Sequence, residues 1–197
     1  MPTLSMSDFS LVVVKSGSPK KTKIKRLSHR EDYAHYRDYY GPLRNAIKHL
    51  FTGKRHISHL YAICNKQSGS KKLKYELIAN TFRDWQSGKN IQAFTSERDY
   101  YHYSQTDITC NPELHLVIAG VHRLVKLHFS SSDKMTQERA NIMCALMEDT
   151  VGQDGFEYVV LDLTNGKEYS FNGNYDKVFE RINNEIKNIE NLWEDED

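Results

Sequence analysis

LHLVIAGVHRLVKLHFSS, Leu114–Ser131, holds two apolar runs in which polar residues recur at a period of two, and the way these runs pair decides the architecture. LHLVIAG and RLVKLHFSS read as β-strands joined at Val121-His122. That junction sets Leu114 opposite Phe129, Leu116 opposite Leu127 and Ile118 opposite Val125, an entirely apolar sheet face. On the other face His115 and His128 stand directly opposite each other, their Cβ atoms about 5 Å apart, with Lys126 beside them.

Downstream, TQERANIMCALMEDTV reads as a helix capped by Thr136 or Asp133, with Ile142, Met143, Leu146 and Met147 turned inward. FEYVVLDLT and KEYSF form a hairpin around Asn165-Gly166. The last helix puts Tyr175, Val178, Phe179, Ile182, Ile186, Ile189 and Trp193 on one face. The C-terminal half therefore has a ββαββα-like order. An α+β fold, with helices packed on one face of an antiparallel sheet, buries both amphipathic helices.

Upstream, SERDYYHYSQTDITCNPE reads as a polar, tyrosine-rich connection with one strand inside it. Tyr75, Ile78, Phe82 and Trp85 keep helical spacing, while HISHLYAICNKQ fits either a helix or a hairpin arm. Tyr33, Tyr36, Tyr40, Leu43, Ile47 and Leu50 form a helical stripe that starts at Glu31 under a Ser28 cap. Gly41-Pro42 divides that stripe into two helices and Gly53 closes it. KKTKIKR reads as a basic connector and Phe9–Lys15, FSLVVVK, as a short strand. Residues 1–197 are expected to form one compact domain, divisible at most into a basic helix-rich part, 1–100, and an acidic α+β part, 101–197.

With 39% apolar and 27% charged residues, the 197-residue chain has the composition of a folded protein. No run approaches the roughly 18 apolar residues of a membrane helix, and MPTLSMSDFSLVVVKSG lacks the basic start of a signal peptide. Cys64, Cys110 and Cys144 are odd in number and contain no C-x-x-C pair, so they are expected to be buried thiols in a reducing, cytoplasmic setting. The net charge of +1 conceals an asymmetry: residues 1–100 carry 19 Lys and Arg against 8 Asp and Glu, residues 101–197 carry 8 against 18. Such a charge division points to an anionic partner, nucleic acid above all, for the first half and a protein partner or self-association for the second.

The cations available for phosphate are Lys20, Lys21, Lys23, Lys25, Arg26 and Arg30 in the connector, Arg37, Arg44 and Lys48 on helices, and Lys54 and Arg55 in a loop. Tyr39 and the run Tyr100, Tyr101 and Tyr103 lie off the apolar stripe, where they could stack on bases. Three readings follow. The first is a non-enzymatic nucleic-acid-binding protein within a larger assembly. The second is a protein-interaction or self-assembly module held by the opposite charges of its two halves, paired head to tail between copies. The third is a phosphodiesterase or nuclease using His115 and His128 as acid and base, with Lys126 steadying negative charge. His56-Ile-Ser58, His102-Tyr-Ser104 and His128-Phe-Ser130 each fit H-x-[ST], a tripeptide whose tandem form resembles the paired motif of the 2H phosphoesterases, a resemblance that covers these tripeptides alone. There is no Walker loop, dinucleotide fingerprint, nucleophile elbow or H-E-x-x-H, so no cofactor and no metal-ligand set is expected.

Overall fold

A computed structural model describes residues 2–30, 38–53 and 55–194. In chain order the elements are β1 (Thr3–Ser5), α1 (Met6–Val13), α2 (Gly17–Ser28), α3 (Gly41–Thr52), α4 (Ser58–Asn65), α5 (Gly69–Gln86), β2 (Ile91–Phe94), β3 (Asp99–Tyr103), β4 (Thr106–Cys110), β5 (Leu114–Ile118), β6 (Val121–His128), α6 (Gln137–Val151), β7 (Glu157–Asp162), β8 (Lys167–Ser170) and α7 (Tyr175–Glu194). The α+β class is the one expected. A five-stranded sheet runs β2-β5-β6-β7-β8, and a three-stranded sheet runs β1-β4-β3.

Two details of the layering differ from expectation. β6 and β7 pair parallel, because α6 carries the chain back across the sheet between them, whereas the other neighbours in this sheet are antiparallel. Helices also cover both faces, since successive strand residues point in opposite directions. Leu114, Leu116, Val125, Leu127 and Leu161 join a core with α3, α4 and α5. Leu124, Tyr158, Val160 and Tyr169 join a second core with α1, α2, α6 and α7, which the small sheet enters through Ile108 and Cys110.

The β5–β6 register is the consequential correction. The turn is Ala119-Gly120, at φ 53° and 83°, and not Val121-His122. Two left-handed residues make a turn whose twist matches the flanking strands, a conformation that β-branched Val121 would adopt only with strain. Leu114 thus faces Val125 where Phe129 was expected, and His115 faces Leu124. A slide by an even number of residues leaves every side chain on its own face. The apolar ladder therefore survives while the histidine partners change.

The N-terminal expectations also fail in part. FSLVVVK is not a strand: Phe9 to Val13 are helical in α1. Ser5 Oγ accepts from the Asp8 N–H and donates to its carboxylate, and Met6, Phe9, Val12 and Val13 are buried at helical spacing. Burial of Phe9 to Val13 nearly all round the helix outweighs the β-preference of three valines. KKTKIKR is not a connector but lies in α2, anchored by buried Ile24 and Leu27. Ser28 ends that helix, its hydroxyl donating to the Lys25 carbonyl. The helix expected from Glu31, with Tyr33 and Tyr36, lies outside the described residues.

Other elements match. Pro42 sits in the first turn of α3, Gly53 closes it, and Leu43, Ile47 and Leu50 are buried. Tyr75, Ile78 and Phe82 are the inner face of α5, and the ambiguous arm before it is helix α4. Thr136 caps α6 by accepting from the Arg139 N–H. Ile182, Ile186 and Ile189 seat α7, and all three cysteines are buried and free. The tyrosine-rich stretch holds two strands, β3 and β4, in place of one. No described helix is long and apolar enough to cross a membrane.

Candidate functional site

The basic residues singled out from sequence do not form one surface. α2 belongs to the core shared with α7, while α3 to α5 lie on the opposite face of the large sheet. On α2, Lys20 pairs with Glu185 of α7 at 2.8 Å and Lys23 pairs with Asp8 at 2.7 Å, while Arg30 reaches the other Asp8 oxygen at 3.0 Å. Burial pushes the Asp8 carboxyl up, but Lys23, Ser5 and Arg30 outweigh it and hold the pKa below the ordinary value. Lys21, Lys25 and Arg26 are exposed on this helix. Arg44 is committed to Asp38 at 2.6 Å and Glu113 at 3.5 Å, with its guanidinium over the Phe129 ring. Lys48 borders a small cavity and Arg55 is exposed, while Arg37 and Lys54 lie outside the described residues.

On the other face, the described residues of 38–89 hold nine Lys and Arg against three Asp and Glu. The aromatic feature there is Tyr39. Its ring is 39% exposed, with Lys71 Nζ at 4.9 Å and Lys74 Nζ at 5.9 Å from the centroid. The buried Tyr75 hydroxyl donates to the Tyr39 carbonyl, and burial together with the Tyr39 neighbour pushes the Tyr75 phenol up to about 12, so it stays a donor. Tyr39 also packs edge-on against Tyr40 and Tyr75. Tyr39 was legible as an off-stripe aromatic; Lys71 and Lys74 were not singled out, since they fall outside the Lys20–His56 tract. Leu73 and Leu77, one turn apart on α5, are 69% and 55% exposed. Tyr100 is also exposed, with Arg98 over its ring and His102 stacked beside it, and His102 bonds Asp107 at 2.6 Å.

The expected His115–His128 pair does not form. His128 is buried on β6, its Nε2 bonded to the Ser130 carbonyl at 2.8 Å, and desolvation with the nearby Arg139 charge holds its pKa below normal. Lys126 serves no open site either. Its ammonium meets the Asn111 carbonyl and side-chain oxygen at 3.0 Å each and Glu113 at 2.8 Å, which occupies all three N–H donors. The second Glu113 oxygen accepts from the Leu127 N–H. The corrected register instead brings His115 to His122, with Nε2 of the first 3.0 Å from Nδ1 of the second. Phe94 packs on both rings, and Phe156 stacks on His122 at 4.7 Å between centroids. The three H-x-[ST] tripeptides are scattered: His56 precedes α4, His102 is on β3 and His128 on β6.

A cavity of about 100 Å³ between α3 and β2, lined by Lys48, Thr52, Thr95 and Glu113, is smaller than the few hundred Å³ a small-molecule ligand occupies. An open depression of about 490 Å³ beside Arg83, Gln86, Lys89 and Asn90 is polar. Among the described residues no three His, Cys, Asp or Glu side chains converge on a metal-sized space. No protein-family model matches the chain, and a search of curated proteins found no relative.

Proposed function

We propose that this protein binds nucleic acid, and that it does so through the α3–α5 layer and not through α2. The observation that carries the reading is the exposed Tyr39 ring bracketed by Lys71 and Lys74, on a helical layer whose cations outnumber its anions. A tyrosine face stacks on a base, and neighbouring ammonium groups neutralise the flanking phosphates with release of counterions. Lys20, Lys23 and Arg30 already have carboxylate partners, so phosphate would have to displace those partners first. The test is fluorescence anisotropy against single- and double-stranded RNA and DNA across a salt series. The wild type is expected to bind with a steep negative salt slope, and Lys71→Ala with Lys74→Ala is expected to flatten that slope by about two. Salt-insensitive binding, or none at low salt, removes the reading.

A second reading has its own observation. Leu73 and Leu77 expose an apolar pair on α5, in keeping with a protein-interaction or self-assembly module. Opposite charges of the two halves are already joined within one chain by Lys20–Glu185, Arg44–Glu113 and Lys89–Glu168, so association would rest on the leucines. It predicts an oligomer that Leu73→Ser with Leu77→Ser dissociates in sedimentation velocity. A wild-type monomer throughout the concentration series would remove self-assembly. A catalytic role for His115 with His128 has no geometry to support it.

A further inference from the structure

We propose that His115 and His122 form a binding site for a divalent transition-metal ion of the Zn²⁺, Ni²⁺ or Cu²⁺ class. The site follows from the hairpin register. The Ala119-Gly120 turn sets Val117 against His122 and Leu124 against His115, so the two imidazoles are diagonal neighbours on one sheet face. Their facing nitrogens lie 3.0 Å apart. Two imidazole nitrogens each about 2.0–2.1 Å from one ion, at angles between octahedral and tetrahedral, lie about 2.9–3.4 Å apart, so the separation suits a chelate once each ring turns its lone pair off the N–N line toward a shared ion.

The surroundings favour the same use. With the proton on its other ring nitrogen, His115 offers the Nε2 lone pair to the gap. His122 contributes Nδ1 once its proton moves to Nε2, a tautomer change without net proton release. The Phe94 ring lies 5.2 Å from that of His115, and Phe156 lies 4.7 Å from that of His122 by centroids, so the pair has aromatic neighbours on both sides. Neutral imidazole selects Cu²⁺, Ni²⁺ and Zn²⁺ over Mg²⁺ and Ca²⁺. No third side chain among the described residues completes the set, so water fills the other positions and the ion stays open to a further ligand.

The test is calorimetric titration of the full chain with ZnCl₂ and with NiCl₂ near neutral pH. The chain has nine histidines, so an exposed one supplies the background control. Wild type and His29→Gln are expected to bind one equivalent alike, and His115→Gln or His122→Gln to bind at least about tenfold more weakly. Equal affinity in all four proteins would overturn the proposal. A second measurement needs no variant: in long-range ¹⁵N imidazole spectra of the wild type, the His115 and His122 signals should move together on adding Zn²⁺ and stop at one equivalent. Signals that stay fixed with Zn²⁺ in large excess would leave the two rings a structural hydrogen bond only.

Discussion

α2 and α5 carry five and four cations, α5 with two carboxylates among them, and meet different fates. α2 packs into the core it shares with acidic α7 and lies beside Asp8, so Lys20, Lys23 and Arg30 are spoken for within the molecule. α5 lies on the other face of the sheet, in a layer poor in carboxylates, and directs Lys71 and Lys74 at a half-open tyrosine ring. A lysine count along the chain treats these helices as equivalent. What separates them is which layer of the fold supplies neighbours, and an ion pair between residues 20 and 185 has no trace in local sequence.

The largest expected effect lies at the buried charges around Glu113. Glu113 holds Lys126 and the Leu127 N–H and also reaches Arg44, so Glu113→Ala leaves a buried ammonium and an orphaned amide. A loss of about 3–5 kcal/mol is expected in urea unfolding. Glu113→Leu with Lys126→Met, which removes both charges, should recover much of it. If the single variant is as stable as wild type, the cluster is not the anchor described.

Ser5→Ala tests the docking of the N-terminal segment more gently. Losing the cap of α1 is expected to cost about 1 kcal/mol, read as a lower urea midpoint at unchanged slope. A smaller effect concerns binding directly. Asp8→Asn with Glu185→Gln frees Lys20, Lys23 and Arg30, so if pairing is what silences α2, nucleic-acid affinity at low salt should rise a few-fold, with a steeper salt slope. Unchanged affinity would mean that α2 is quiet for another reason.

The shallowest expected effect is a pH slope. Burial and Arg139 lower the folded-state pKa of His128, so the unfolded chain binds the proton more readily. That contribution is fully present above the unfolded value of about 6.5 and is lost as pH falls from there through the folded value. Wild type should lose stability over that window in urea titrations, and His128→Asn should lose less. Parallel pH profiles would show that His128 does not carry the slope.

Much of the scaffold was legible because its signals are local. The spacing of Ile182, Ile186 and Ile189, the Thr136 cap, Pro42 at the start of α3 and the Asn165-Gly166 hairpin each depend on residues a few positions apart. What was not legible depends on distant partners. Phe9 to Val13 read as a strand because β-branching is visible in sequence, while the packing of α1 on α6 is not. The β5–β6 register escaped because Leu114, Leu116, Val125 and Leu127 face one core in either alignment, and the short Ala119-Gly120 turn settles it. The site followed the same division. Tyr39 stood out by its place off the apolar stripe, whereas the His115–His122 pair awaited the register.

The most direct measurement is a side-by-side anisotropy titration of one fluorescent single-stranded oligonucleotide, at low and moderate salt, with wild type and two sets of substitutions. Tyr39→Ala with Lys71→Ala and Lys74→Ala strips the α5 site, while Lys21→Ala with Arg26→Ala strips exposed charge from α2. The first set is expected to lose both the salt slope and the roughly 1–3 kcal/mol of a stacked base, while the second binds nearly as wild type does. The reverse order of losses, or equal loss in both, would contradict the α5 site.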